Sequence, residues 1–134
     1  MHNQDSKTYD GDIIASMQEF FRRTIRLADE AGIDRHNLIL DPGIGFGKTV
    51  EGNLEVLRRQ QELLSIDGED YPLLLGTSRK SFMGKTMDLP VDERMETTGA
   101  TCVLGIAKGA SIVRVHDVKP IARMCRMTDI ILNS

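Results

Sequence analysis

The sequence predicts an α/β fold in which parallel strands alternate with helices. Three observations lead there. Short apolar runs recur at Leu38-Ile39-Leu40, Leu73-Leu74-Leu75 and Ile112-Val113-Arg114-Val115. The first two are apolar throughout, as expected of strands covered on both faces. Longer segments of helical period separate the runs. The residues with chemistry to offer follow them directly: Asp41, then Gly76 to Ser81, then Arg114 and His116. In α/β folds ligands bind at that C-terminal edge of the strands, whether the sheet is open or closed into a barrel.

Taken in chain order, the first helix is marked by Ile13, Met17, Phe20 or Phe21, Leu27 and Ala31, with Asp10 or Asp12 as cap and Gly32 as the left-handed stop. Leu54, Leu57 and Leu64 form a second stripe that ends before the turn-rich Ser65 to Asp70. From about Glu93 to Lys108 a small-residue helix carries Ala100, Val103, Leu104 and Ala107 and stops at Gly109. The last helix follows Asp117, tolerates Pro120 in its first turn, and turns Ile121, Met124, Cys125 and Ile130 to one side. The expectation is about three parallel strands and four helices. Asp41, Gly76 and Arg114 follow one another at intervals suited to successive βα units of a (β/α)8 barrel. A whole barrel needs about 250 residues, so in a barrel this chain is the second half.

The 134 residues favour one domain, and 40% hydrophobic with 28% charged residues argues against disorder or a disulfide scaffold. A net charge of −3 gives no footprint for gripping nucleic acid or an acidic membrane, so an anion site must be local. Cys102 and Cys125 lack metal-ligand spacing and read as reduced thiols of a cytoplasmic protein. No apolar stretch approaches the roughly 20 residues of a membrane span.

Three motifs carry the chemistry. Asp41-Pro42-Gly43-Ile44-Gly45-Phe46-Gly47-Lys48-Thr49 nearly matches a phosphate-binding P-loop, but Pro42 stands where that pattern needs its first glycine and has no N–H to donate. Two readings remain: a glycine-loosened turn with Asp41 facing a ligand, or Asp41 merely capping the turn. Phe46 either lies on a flat ligand or packs inward, and Asn53 either hydrogen-bonds the loop or simply caps it, capping being the favoured reading. In Gly76-Thr77-Ser78-Arg79-Lys80-Ser81 a buried strand runs into two cations and three hydroxyls. Adjacent Arg79 and Lys80 usually mean a solvated turn, yet the place after a core strand favours a substrate-facing Lys80. In Arg114-Val115-His116-Asp117, alternation puts Arg114 and His116 on one face as an anion site. The competing reading is an ion pair from Arg114 to Asp41 or Asp117. The dispersed methionines read as core filler.

In order and spacing, these three motifs resemble the C-terminal half of the dihydropteroate synthase family. The resemblance runs from about His2-Asn3, read as the end of a preceding strand, to the last helix. It implies a TIM barrel of which residues 1–134 form a single partial domain. The implied reaction joins 6-hydroxymethyl-7,8-dihydropterin diphosphate to p-aminobenzoate and releases diphosphate, with Mg2+ on the leaving group. By motif, Asp41 binds the pterin ring and Gly76 lies close to it. Lys80 contacts pterin and p-aminobenzoate, Phe46 and Ser81 line the p-aminobenzoate pocket, and Arg114 and His116 hold the diphosphate. Lys80, Arg114 and His116 are the catalytic set, and no metal ligand is expected in this chain, because the family's metal-binding asparagine and mobile loops lie in the N-terminal half. The chain alone is therefore expected to be inactive, and to pair with its own copy or a complementary N-terminal half. Two alternatives are a pterin-binding methyltransferase acting on methyltetrahydrofolate, which has no diphosphate for Arg114 and His116, and a non-catalytic half-barrel interaction module.

Overall fold

A computed structural model of the chain describes residues 12–45 and 48–133. Helix α1 (Ile13–Glu30) starts where the Asp12 carboxylate accepts the Ile14 amide, and it ends as Gly32 takes a φ of +82°. Ile14, Met17 and Phe21 are buried and Ile25 continues their face against the core, whereas Leu27 lies off that face and is exposed. A short turn over Arg35–Asn37 leads to Leu40. Thr49 caps α2 (Val50–Arg58), its hydroxyl accepting the Gly52 amide at 2.9 Å.

The second helix is shorter than its stripe implies: a 3-10 turn over Gln60–Leu63 replaces its end. The segment read as plain turn is a tight antiparallel hairpin of β1 (Ser65–Ile66) and β2 (Glu69–Asp70), tied to the body by Ile66, which is buried. Strand β3 (Leu74–Leu75) leads into α3 (Ser81–Met87), a helix with no counterpart in the apolar pattern. Then come α4 (Met95–Ala107), β4 (Ile112–Val113) and α5 (Val118–Leu132).

All pairing among the predicted runs is parallel. Leu74 and Leu75 pair with Ile112 and Val113, and Leu40 forms a single bridge to Leu73. The ladder lies in the order expected of consecutive βα units, though each strand is shorter than its apolar run. Leu40, Leu73 and Leu75 are buried and share one core with Phe21 of α1, Val56 of α2 and Phe82 of α3, and Leu75 also packs against Gly105 of α4. Each such side chain stabilises by roughly 1.5–3 kcal/mol relative to exposure. The predicted stripe of α5 faces the body over its first two turns and not at its end: Ile121 is buried and Met124 and Cys125 are half-buried, whereas Ile130 is 58% exposed. The parallel direction brings the ends of the Leu40, β3 and β4 segments, and with them Asp41, Gly76 and Arg114, to one edge.

Candidate functional site

Backbone glycines shape the first wall. Asp41 Oδ1 accepts the Gly43 amide at 2.8 Å, closing a turn, while Oδ2 lies 3.4 Å from Arg114 Nη1. The turn-capping and ion-pair readings therefore both hold, each on one oxygen. Gly45 has a φ of +89°, which favours glycine, and a Cβ there would stand 3.1 Å from Lys80 Cδ. Four side chains hold this loop. Besides Asp41, Lys48 Nζ donates to the Gly43 carbonyl at 2.7 Å and Lys80 Nζ to the Ile44 carbonyl at 3.1 Å. Asn53 Oδ1 accepts the Gly45 amide at 2.8 Å. Asn53 is buried near the start of α2 and bonds the loop, one of its two expected readings, while the favoured capping role belongs to Thr49. Phe46, expected in the p-aminobenzoate pocket, lies outside the described residues, as do His2-Asn3 and Asp10.

The second wall follows β3. Arg79 takes a left-handed φ of +56°, uncommon for a side-chain-bearing residue. Three contacts hold it there: its amide donates to Thr98 Oγ1 at 3.0 Å, its guanidinium pairs with Asp117 at 2.9 Å, and its carbonyl accepts from Arg94 at 3.0 Å. The adjacent cations thus part company. Arg79 is tied to Asp117, while Lys80, at the start of α3, lines the cavity. Thr77 is buried and bonds to Thr101.

The third wall is the chain beyond β4. Arg114 N–H continues the ladder to the Leu75 carbonyl at 3.0 Å, and Gly76 leaves room for the guanidinium: a Cβ would come 2.5 Å from Nη2. Gly76, Ser78, Lys80, Arg114, Val115 and His116 enclose a cavity of about 310 Å³. Arg114 and His116 are exposed rather than buried. Ser81 begins α3 and is exposed, outside the cavity lining. Sequence reading singled out neither Ser78 nor Lys48 as a site residue. A hydroxyl that contacts a residue 38 positions away leaves no local trace.

The site is cationic. Burial pushes the Lys80 amine below its usual range, Arg114 adds to that, and Asp41 opposes it. Lys48 is lowered to about 8, chiefly by burial. Such a cavity suits an anion. It does not suit a hard divalent cation: among the described residues no three His, Cys, Asp or Glu side chains converge, and Asp41 already faces Arg114. Among the described residues the magnesium implied by the resemblance has no ligand set. A second concavity, about 260 Å³ beside α1, is lined in part by Arg22 and Arg35, which are paired with Asp67 and Glu69.

Residues 1–116 match the family described as pterin binding enzyme. The chain belongs to the pterin-binding enzyme family. Among its curated relatives, dihydropteroate synthase of Bacillus subtilis is 51% identical over 133 residues, covering 99% of this chain and 45% of the relative. The Escherichia coli dihydropteroate synthase is 36% identical over 131 residues, covering 98% of this chain and 45% of the relative. The crystal structure of a Clostridium difficile dihydropteroate synthase in the presence of pteroic acid superposes with a TM-score of 0.88 at 50% identity, covering 98% of this chain and 49% of that one. The chain thus spans about half the length of these pterin-binding relatives, whose likeness places it in a TIM-barrel family. Among the described residues no helix is long and apolar enough to cross a membrane.

Proposed function

We propose that this chain supplies the pterin- and diphosphate-binding half of a dihydropteroate synthase, the C-terminal half of its barrel. The observation that carries the reading is the convergence of Lys80, Arg114 and His116 on one cavity beside Gly76, at the ends of parallel strands. In this reading Asp41 accepts N–H bonds from the aminopyrimidine edge of the pterin, and Gly76 lets the ring approach the backbone. Arg114 and His116 hold the diphosphate. As the C–O bond to diphosphate breaks, the p-aminobenzoate nitrogen attacks the methylene and then loses a proton to solvent, and the cations stabilise the charge gathering on the leaving group. Lys80 contacts pterin and p-aminobenzoate, and Phe46 and Ser81 line the p-aminobenzoate side. Mg2+, implied by the resemblance, would neutralise charge on the diphosphate and would need ligands other than the described residues.

In this reading the partner for the exposed apolar side chains of α5, Val118, Met127, Ile131 and Leu132, is a complementary N-terminal half-barrel or another copy. A cytoplasmic setting fits a folate-synthesis role. The methyltransferase alternative has no diphosphate to occupy the Arg114–His116 end, and the relatives named above are all dihydropteroate synthases.

Calorimetric titration with inorganic diphosphate tests this. The chain is expected to bind it, and Arg114→Ala to weaken binding about tenfold or more. In a diphosphate-release assay with both substrates but no second polypeptide, no turnover is expected. Absence of diphosphate binding, binding indifferent to Arg114→Ala, or turnover by the chain alone contradicts the proposal.

A further inference from the structure

Ser78 sits in the turn between β3 and α3, 7% exposed, and its hydroxyl meets His116 twice. Oγ accepts the His116 backbone N–H at 3.0 Å and lies 2.7 Å from His116 Nδ1. A serine hydroxyl has one proton to give and two lone pairs. The backbone N–H occupies a lone pair, so the proton needs an acceptor of its own. Among the described residues Nδ1 is the acceptor within reach. In the neutral ring Nδ1 then keeps its lone pair, and the ring proton sits on Nε2, the nitrogen turned away from Ser78.

We propose that Ser78 is a positioning residue that holds His116 as the Nε2–H tautomer, so that the imidazole offers the cavity a hydrogen-bond donor. This rests on reading the cavity as a diphosphate site: phosphate oxygens accept hydrogen bonds, and a lone pair at Nε2 would repel them. The turn is built for the task. Arg79, left-handed and held by Thr98, Arg94 and Asp117, fixes the chain just after Ser78, and Asp117 directly follows His116. Ser78 and His116 are thereby fastened by the Arg79–Asp117 pair one residue further along each segment.

The test is a long-range 1H–15N correlation spectrum of the full chain labelled with 15N-histidine, recorded at alkaline pH where imidazole is neutral, with His116 assigned by its loss in His116→Gln. The wild type is expected to show the Nε2–H pattern. Ser78→Ala is expected to populate Nδ1–H and to weaken inorganic diphosphate binding roughly three- to tenfold. Ser78→Thr, which keeps the hydroxyl, is expected to preserve tautomer and affinity. An Nδ1–H ring in the wild type, or a tautomer unchanged by Ser78→Ala, overturns the proposal. If Ser78→Ala does not fold, the wild-type spectrum still decides, because Nδ1–H there overturns the proposal. A wild type that shows the Nε2–H pattern without binding diphosphate supports the role of Ser78 and contradicts the proposed function instead.

Discussion

Asp41 divides its carboxylate between the fold and the cavity: Oδ1 closes the turn at Gly43 and Oδ2 faces Arg114. A ligand edge that replaces Arg114 at Oδ2 leaves the turn intact. Lys48 is held differently, its buried amine on the Gly43 carbonyl and its ordinary pKa lowered to about 8. The sign of the stability effect follows. Below about pH 8 both folded and unfolded chains hold the proton, and the cost of burying the charge is fully present. Between about 8 and the usual lysine value near 10.4 the unfolded chain binds more protons, so this cost falls as pH rises. Urea unfolding of the wild type and Lys48→Gln at about pH 7 and about pH 10 is expected to show the difference moving in favour of the wild type at the higher pH. A difference that stays constant contradicts this account of Lys48.

The helices and parallel runs are legible because period and burial agree along them, as in α1 from Ile13 to Phe21 and in Leu73 to Leu75. Legibility fails where tertiary contacts decide. Helix α3 shows no apolar stripe: Phe82 and Met83 are adjacent and buried together, while Met87 is exposed. The hairpin of β1 and β2 rests on the left-handed Asp67-Gly68 turn, which reads in sequence simply as turn. For the site, Asp41, Lys80, Arg114 and His116 could be picked out by their place after apolar runs and Asn53 by its place after the glycine loop, whereas the roles of Ser78 and Lys48 arise from contacts between segments. Helix α4 shows how packing overrides propensity. A Cβ on Gly105 would drive into Leu75 Cδ2 in the core, whereas on Gly99 it would meet Met124 Sδ at 2.5 Å, on a flexible and half-exposed side chain. Gly105→Ala is expected to cost about 1–3 kcal/mol in denaturant unfolding despite the better helix former. Gly99→Ala is expected to stay within about 1 kcal/mol of the wild type. Equal costs would mean that close packing against β3 is not what selects glycine at 105.

For the whole molecule, parallel direction is the organising fact: it delivers Asp41, Gly76 and Arg114 to a single edge from three successive βα units. Charge at that edge differs from the chain as a whole, with Lys48, Lys80 and Arg114 gathered around Asp41 in a protein of net charge −3. Any anion site on this chain is expected to be local, and this edge is the proposed place for it. In the proposed reading the carboxylate of Asp41 takes the ring, and the neighbouring Arg114 guanidinium and the His116 imidazole take the diphosphate. The direct test of that arrangement is a fluorescence titration of the chain with 6-hydroxymethylpterin. The account predicts saturable binding by the wild type and a loss of about tenfold or more in Asp41→Asn, whose amide presents only one acceptor oxygen and an NH₂ group that repels the N–H edge of the ring. Absence of binding by the folded wild type, or equal binding by Asp41→Asn, would contradict it.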